Sequence, residues 1–105
     1  MKKQLTSDMV KSIILKDGND SAFVVGEPIF MRTVTYHLTG RIIAIKNGFL
    51  VLDNAAWIAD DGRFTQAINN GELKEVEPVN SFVRVNISSI VDAYHWSHDL
   101  PRQQK

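Results

Sequence analysis

The histidines near the end of the chain are the first residues whose types and spacing could do chemistry. In the stretch AYHWSHDLP, His95 and His98 stand three residues apart and Asp99 is adjacent, and imidazole and carboxylate groups are ordinary metal ligands. An isolated pair of histidines near a terminus is more typical of a protein surface than of a metal centre. We therefore predict no metal site and no cofactor.

Acidic and nucleophilic residues also lack a catalytic arrangement. Asp53, Asp60 and Asp61 surround a turn-rich segment, but EF-hand spacing is absent and aspartate is common at turns and helix caps. Serine, histidine and aspartate occur without a nucleophile-elbow pattern, and the absence of cysteine removes thiolate chemistry. We predict that no residue is catalytic and that the protein is not an enzyme.

The composition is that of an ordinary soluble protein with a single domain spanning residues 1–105. The chain has 105 residues, 44% of them hydrophobic, and its twelve Lys and Arg balance twelve Asp and Glu. This balance gives no overall positive field that would attract nucleic acid, although a local basic patch is still possible. No apolar run approaches the length of a membrane span, and the absence of cysteine fits a reducing compartment, so we expect a cytoplasmic protein with no membrane contact.

A short N-terminal helix is predicted, with Ser7 as its N-cap and Gly18 ending it. The stretch DMVKSIILK between them places its apolar residues on one helical face. The alternative is a hairpin that pairs SIIL with AFVV around DGND, since β-branched residues are frequent there. Pro28 disfavours helix, and residues 29–40 alternate as one long strand.

The dipeptide Asn47-Gly48 predicts a type I′ hairpin turn. Counting outward from the turn, four cross-strand pairs are expected: Lys46 with Phe49, Ile45 with Leu50, Ala44 with Val51, and Ile43 with Leu52. This register places Ile43, Ile45, Leu50 and Leu52 on one aliphatic core face. Leu38 is out of phase with that face, which predicts a bulge or bend at Gly40.

Residues 59–81 are predicted to be an insertion with one or two helical turns, in which Phe64 and Ile68 share a face and Asn70-Gly71 ends the helix. The chain then returns to β-structure, with Val83, Val85 and Ile87 alternating, before a polar tail over 97–105 that we expect to fray. Two residues, Trp57 and Trp96, are expected in the core or in a subunit contact.

This order of elements resembles the Sm-like family, which comprises the Sm, LSm and Hfq proteins. The resemblance covers about residues 7–58 and 82–92 and is carried by VTYHLTGRIIAIKNGFLVLDN and VRVNISSIVDA. It implies a mainly β fold: a small, strongly bent, five-stranded SH3-like open barrel with a short N-terminal helix and, in this chain, a helical insertion before the last strands. It also implies a homo-oligomeric ring of about five to eight subunits that binds single-stranded RNA at its pore-facing turns.

The family's base-binding positions correspond here to Lys46, Asn47, Gly48 and Phe49 at the hairpin turn, and to Arg84, Val85 and Asn86 near the end of the chain. The sequence departs from the family at these positions: it has Lys-Asn-Gly at the hairpin turn, and the closing turn has neither the Arg-Gly pair of Sm proteins nor the Tyr-Lys-His run of Hfq proteins. The chemistry is nevertheless suitable, because lysine and arginine contact phosphate, phenylalanine stacks on bases and asparagine contacts base edges. The simpler alternative is that the turn requires Asn47-Gly48, that Phe49 is a core or interface residue, and that Lys46 and Arg84 are solvated surface charges.

Two functions therefore remain open. The first is an RNA-binding ring that uses Lys46, Asn47, Phe49, Arg84 and Asn86. The second is a structural or adaptor ring that binds a protein partner through residues 59–81 and ignores nucleic acid. RNA binding would weaken steeply with salt, whereas a protein contact centred on Phe64 and Ile68 would not.

Overall fold

Six β-strands form one antiparallel sheet flanked by two short helices, in a computed structural model that describes residues 5–18 and 21–105. The elements are α1 (Ser7–Ile14), β1 (Pro28–Thr33), β2 (His37–Lys46), β3 (Phe49–Asp60), α2 (Phe64–Asn70), β4 (Glu75–Pro78), β5 (Val83–Asn86), a 3₁₀ turn (Ile87–Ser89) and β6 (Ile90–His95). The order across the sheet is β4-β3-β2-β1-β6, and β5 also pairs with β3. The expected mainly β class is confirmed, with six strands in one open sheet.

The N-terminal helix forms as predicted, with two differences at its ends. Its N-cap is Thr6, whose hydroxyl accepts a hydrogen bond of 3.2 Å from the Met9 N–H, and it ends at Ile14, before Gly18. The alternative hairpin is wrong, because residues 12–14 continue this helix; the Asn-Asp part of its turn lies outside the described residues. Neither helix in the described part of the chain is long and apolar enough to cross a membrane.

The single strand predicted over 29–40 is instead a hairpin, in which β1 turns back and pairs with β2. Thr33 closes the turn: its backbone N–H and its hydroxyl both donate to the Tyr36 carbonyl at 2.8 Å. The Thr33 hydroxyl oxygen also accepts from the Tyr36 N–H at 3.0 Å. A side-chain oxygen that satisfies turn amides in this way allows a reversal among residues that otherwise favour strand.

The Asn-Gly turn between β2 and β3 is confirmed. Asn47 has φ 52° and Gly48 has φ 80°, the two positive values that a type I′ turn requires. The first three predicted pairs are present: Lys46 with Phe49, Ile45 with Leu50, and Ala44 with Val51.

Beyond these pairs the predicted register is wrong, because Ile43 is an extra residue in β2 and Leu52 pairs with Ile42. The bulge turns Ile43 outward, where it is 43% exposed, while Ile42 and Leu52 are fully buried. Ile45, 37% exposed, also lies at the edge of the core rather than within it. The aliphatic core face thus contains Leu50 and Leu52 as predicted, with Ile42 in place of Ile43.

The irregularity predicted at Gly40 is present, but the extra residue belongs to the opposite strand. Between the pairs Thr39–Ala56 and Arg41–Asp53, β3 has one more residue than β2, and Asn54 there has φ 49°. A Cβ on Gly40 would lie 3.2 Å from the Leu52 Cβ. Glycine therefore allows the two strands to approach closely where the sheet bends.

Hydrophobic clusters form on both faces of the sheet. The first contains Ile29, Met31, Leu38, Ile42, Leu50, Leu52, Ala55 and Val85. The second contains Phe30, Ala56, Ile58, Ala67, Leu73, Val76 and Trp96. Helix α2, which ends as predicted at Gly71 (φ 74°), packs its residues Phe64 and Ile68 against the second cluster. The apolar face of the insertion therefore covers the chain's own sheet.

The C-terminal tail, predicted to fray, is attached to the body of the protein. Lys105 and Val76 exchange two backbone hydrogen bonds of 3.0 Å. Arg102 donates to the Ala55 carbonyl at 2.9 Å and to the Val79 carbonyl at 3.0 Å. The segment folds because β4, a strand absent from the sequence prediction, offers a pairing edge.

Candidate nucleic-acid interface

Strand β5 lies beside the first half of β3 and so brings together the two segments predicted to bind RNA. Phe49 is directly opposite Asn86, and Val51 is opposite Arg84. Directly opposite residues of an antiparallel pair have Cβ atoms about 4.5–5.5 Å apart. Because Lys46 also pairs with Phe49, the side chains of Lys46, Phe49 and Asn86 form one continuous row.

The alternation of the strands divides the predicted site residues between two faces. Leu50 and Val85 form a pair and are buried in the first cluster, so Val85 is a core residue and cannot contact a ligand. Lys46, Arg84 and Asn86 are exposed on the opposite face. The Phe49 ring, 41% exposed, lies among them.

A second aromatic side chain extends this surface and was missed by the sequence reasoning. Phe82 is 57% exposed, and the guanidinium carbon of Arg84 lies 5.5 Å from its ring centroid, within cation–π range. The signal in the sequence was an aromatic two residues before a cation in a strand, since such residues share a face. We call Lys46, Asn47, Phe49, Phe82, Arg84 and Asn86 the turn face.

Hydrogen bonds hold the turn face in shape. The Gly48 carbonyl accepts from the Ile87 N–H at 2.9 Å, which ties the hairpin turn to the 3₁₀ turn. Asn86 caps that 3₁₀ turn, because its side-chain oxygen accepts from the Ser88 N–H at 3.0 Å and from the Ser88 hydroxyl at 2.8 Å. The amide oxygen of Asn86 is therefore engaged in the cap, and its NH₂ group remains to donate hydrogen bonds to a ligand.

The two cations of the turn face have no carboxylate partner among residues 5–18 and 21–105. The ion pairs in this part of the chain are Arg32 with Asp92 and Arg41 with Asp53, and two histidine–carboxylate contacts join His37 to Asp61 and His95 to Glu27. Lys46 and Arg84 are in none of them. Unpaired, exposed cations beside aromatic rings are the groups that contact the phosphates and bases of single-stranded nucleic acid.

The histidines and aspartates considered for metal binding do not converge. His98 donates to the Ile68 carbonyl at 2.7 Å, whereas His95 pairs with Glu27 at 3.0 Å. Asp60 accepts from the Gly62 N–H at 2.8 Å, as the turn interpretation predicted. Over the described residues, no group of three or more His, Asp or Glu side chains could hold a metal ion.

The two tryptophans have different environments. Trp96 is 1% exposed and belongs to the second cluster, so its predicted core position is confirmed. Trp57 is 47% exposed on β3, and its predicted role in a subunit contact stays a prediction.

Fold and site together define the chain as a mainly β protein with one six-stranded antiparallel sheet and an exposed cationic and aromatic face at a hairpin turn. No protein-family model matches the sequence, and no curated protein matches it either.

Proposed function

We propose that this protein is a ring-forming Sm-like protein that binds single-stranded RNA through the turn face. The observation that carries the proposal is the pairing of β3 with β5, which sets Lys46, Phe49 and Arg84 on one exposed surface. Aromatic stacking is tolerant of sequence, and free cations on the same face contact the backbone.

The arrangement of strands supports an SH3-like, Sm-like barrel. Strand β4 belongs to the insertion at 59–81, and without it the sheet has the five strands that the family resemblance implies, preceded by helix α1. The two bulges, at Ile43 and opposite Gly40, supply the bending that such a small barrel needs.

Two strand edges that have no partner within residues 5–18 and 21–105 support ring assembly. In the described chain β6 pairs only with β1, and β5 pairs only with β3. A free edge offers backbone hydrogen-bonding groups to another chain, and head-to-tail pairing of two such edges closes into a ring when the rotation allows. A ring would repeat the turn face once per subunit and create a positive girdle from a chain of zero net charge.

Ring assembly predicts that the purified protein has the mass of about five to eight chains by multi-angle light scattering at micromolar concentration. The subunits are held by backbone pairing rather than by surface charge, so we expect the mass to persist when the salt concentration is raised. A monomeric mass would contradict the assembly and the pore position of the turn face.

RNA binding predicts that labelled oligo(U) or oligo(A) binds at low salt and is released as salt rises. Phe49→Ala should weaken binding by roughly tenfold or more, since stacking contributes about 1–3 kcal/mol per base. Arg84→Ala should also weaken binding. It should reduce the slope of log K against log salt concentration by about one, which corresponds to the loss of one phosphate contact. Fluorescence anisotropy at two salt concentrations measures both effects.

The matched control is Arg63→Ala, which removes an exposed arginine beyond the opposite end of β3. We expect this variant to bind as the unmodified protein does. Absence of binding at low salt, or equal losses in Arg63→Ala and Arg84→Ala, would refute the RNA proposal.

We prefer RNA to a protein partner bound through residues 59–81. Phe64 and Ile68, the expected centre of such a contact, pack against the second hydrophobic cluster of their own chain. An adaptor function would have to use the polar surface of the insertion, and no exposed apolar patch on α2 favours it.

A further inference from the structure

A cavity of about 290 Å³ lies between α1 and the β1–β6 pair, away from the turn face. Its apolar walls include Val10, Ile14, Phe23 and Ile29. Volumes of about 300–1,000 Å³ are usual for small-molecule sites, so the space suits a compact ligand.

A buried carboxylate faces this cavity. Glu27, which lines it, is 5% exposed, and one of its oxygens accepts a hydrogen bond of 3.0 Å from the Nδ1–H of His95. The second oxygen accepts no hydrogen bond from the described residues. Burial raises the pKa of Glu27, and desolvation outweighs the opposing hydrogen bond and charge of His95. The described residues therefore compensate the carboxylate only in part.

Among the described residues, three further titratable side chains line the cavity. Lys11 on α1 is exposed at its mouth and has no ion-pair partner among the described residues, so solvent screens its charge. The Tyr94 hydroxyl on β6 is directed to Asp92, to which it donates at 2.9 Å. His95, also on β6, is the group already bound to Glu27. Within residues 5–18 and 21–105, no lysine or arginine therefore forms an ion pair with Glu27.

We propose that this cavity binds a small aliphatic primary amine, with its ammonium group on Glu27 and its alkyl chain on the apolar wall. An ammonium donates a charge-assisted hydrogen bond to the second carboxylate oxygen, the one that accepts none from the described residues. The alkyl chain, of roughly six carbons for a cavity of this size, displaces water from Val10, Ile14, Phe23 and Ile29. The proposal does not rest on RNA binding through the turn face.

Hexylamine, hexanol and hexanoate are matched probes, because they share one chain and differ in their head group. We expect hexylamine at millimolar concentration to shift the amide resonances of Val10, Phe23 and Ile29 in a saturable way in two-dimensional NMR spectra of the full chain. Hexanol should bind at least about tenfold more weakly, since it lacks the charge. Hexanoate should not bind, because its carboxylate faces Glu27.

Glu27→Gln should reduce hexylamine affinity to that of hexanol, whereas Glu75→Gln on the exposed part of β4 should leave it unchanged. Ile14→Trp, which fills the cavity, should abolish binding of both hexylamine and hexanol. This variant provides the test if Glu27→Gln does not fold. No saturable hexylamine shifts, equal affinity for the three probes, or undiminished hexylamine binding by a folded Glu27→Gln or Ile14→Trp variant would overturn the proposal.

Discussion

Replacing Trp96 by alanine is expected to lower the free energy of unfolding by about 3–5 kcal/mol, the range for truncating a large buried aromatic side chain. The indole is 1% exposed and stacks on Phe30 with ring centroids 5.9 Å apart. Its Nε1–H also donates to the Asp99 carbonyl at 3.1 Å, which attaches the start of the tail to the sheet. Truncation therefore leaves a cavity and removes an anchor of the tail.

Urea unfolding followed by circular dichroism measures this loss, and Trp57→Ala is the matched control. Trp57 is the same residue type on the same sheet but is 47% exposed, so its truncation should cost less than about 1 kcal/mol in the monomeric chain. Similar losses for the two variants would contradict the assignment of Trp96 to the core.

Replacing Gly71 by alanine is expected to cost about 2–4 kcal/mol from two additive sources. Gly71 has φ 74°, a conformation that a residue with a Cβ adopts only with strain. An added Cβ would also lie 2.8 Å from the Cγ of His98. His98 cannot rotate away freely, because its ring donates to the Ile68 carbonyl at 2.7 Å and packs edge-on against Trp96.

Gly48→Ala separates the two sources. Gly48 has φ 80° but nothing within 4 Å of an added Cβ, so it carries the backbone strain alone, about 1–2 kcal/mol. Thermal or urea unfolding of both variants gives the steric contribution as the difference. If Gly48→Ala costs as much as Gly71→Ala, the contact between Gly71 and the tail is not the cause.

Local chemistry explains which parts of the fold could be predicted from the sequence. The Asn47-Gly48 turn, helix α1 and the end of α2 at Gly71 all depend on backbone conformations that nearby residues prefer. The pairs next to the turn follow by counting, because the turn sets the register of its own neighbours. These predictions needed no information from distant parts of the chain.

The Thr33 turn is a local feature that the sequence prediction missed, and the other main failures occur where distant residues decide. The bulge at Ile43 depends on which side chain fills the hydrophobic core, and Ile42 takes the core position that was predicted for Ile43. Strand β4 and the ordered tail stabilise each other, since Val76 pairs with Lys105 in the backbone. Neither segment has a pattern that favours this structure when read alone.

The candidate sites divide in the same way. The residue types of the turn face were recognised from the sequence, apart from Phe82, while the burial of Val85 followed only from the pairing of β5 with β3. The cavity site was missed, because Glu27 and His95 are 68 positions apart. A single glutamate after a glycine carries no sign of burial.

The sequence by itself determined the mainly β class, the two helices, the Asn-Gly turn and the residue types of the turn face other than Phe82. Only the tertiary structure decided that Phe49 and Arg84 share a face, that Phe64 and Ile68 are used internally, and that Glu27 faces a cavity. The physical reason is that turns and caps depend on interactions a few residues long, whereas register, burial and the environment of a charge depend on which distant segments meet.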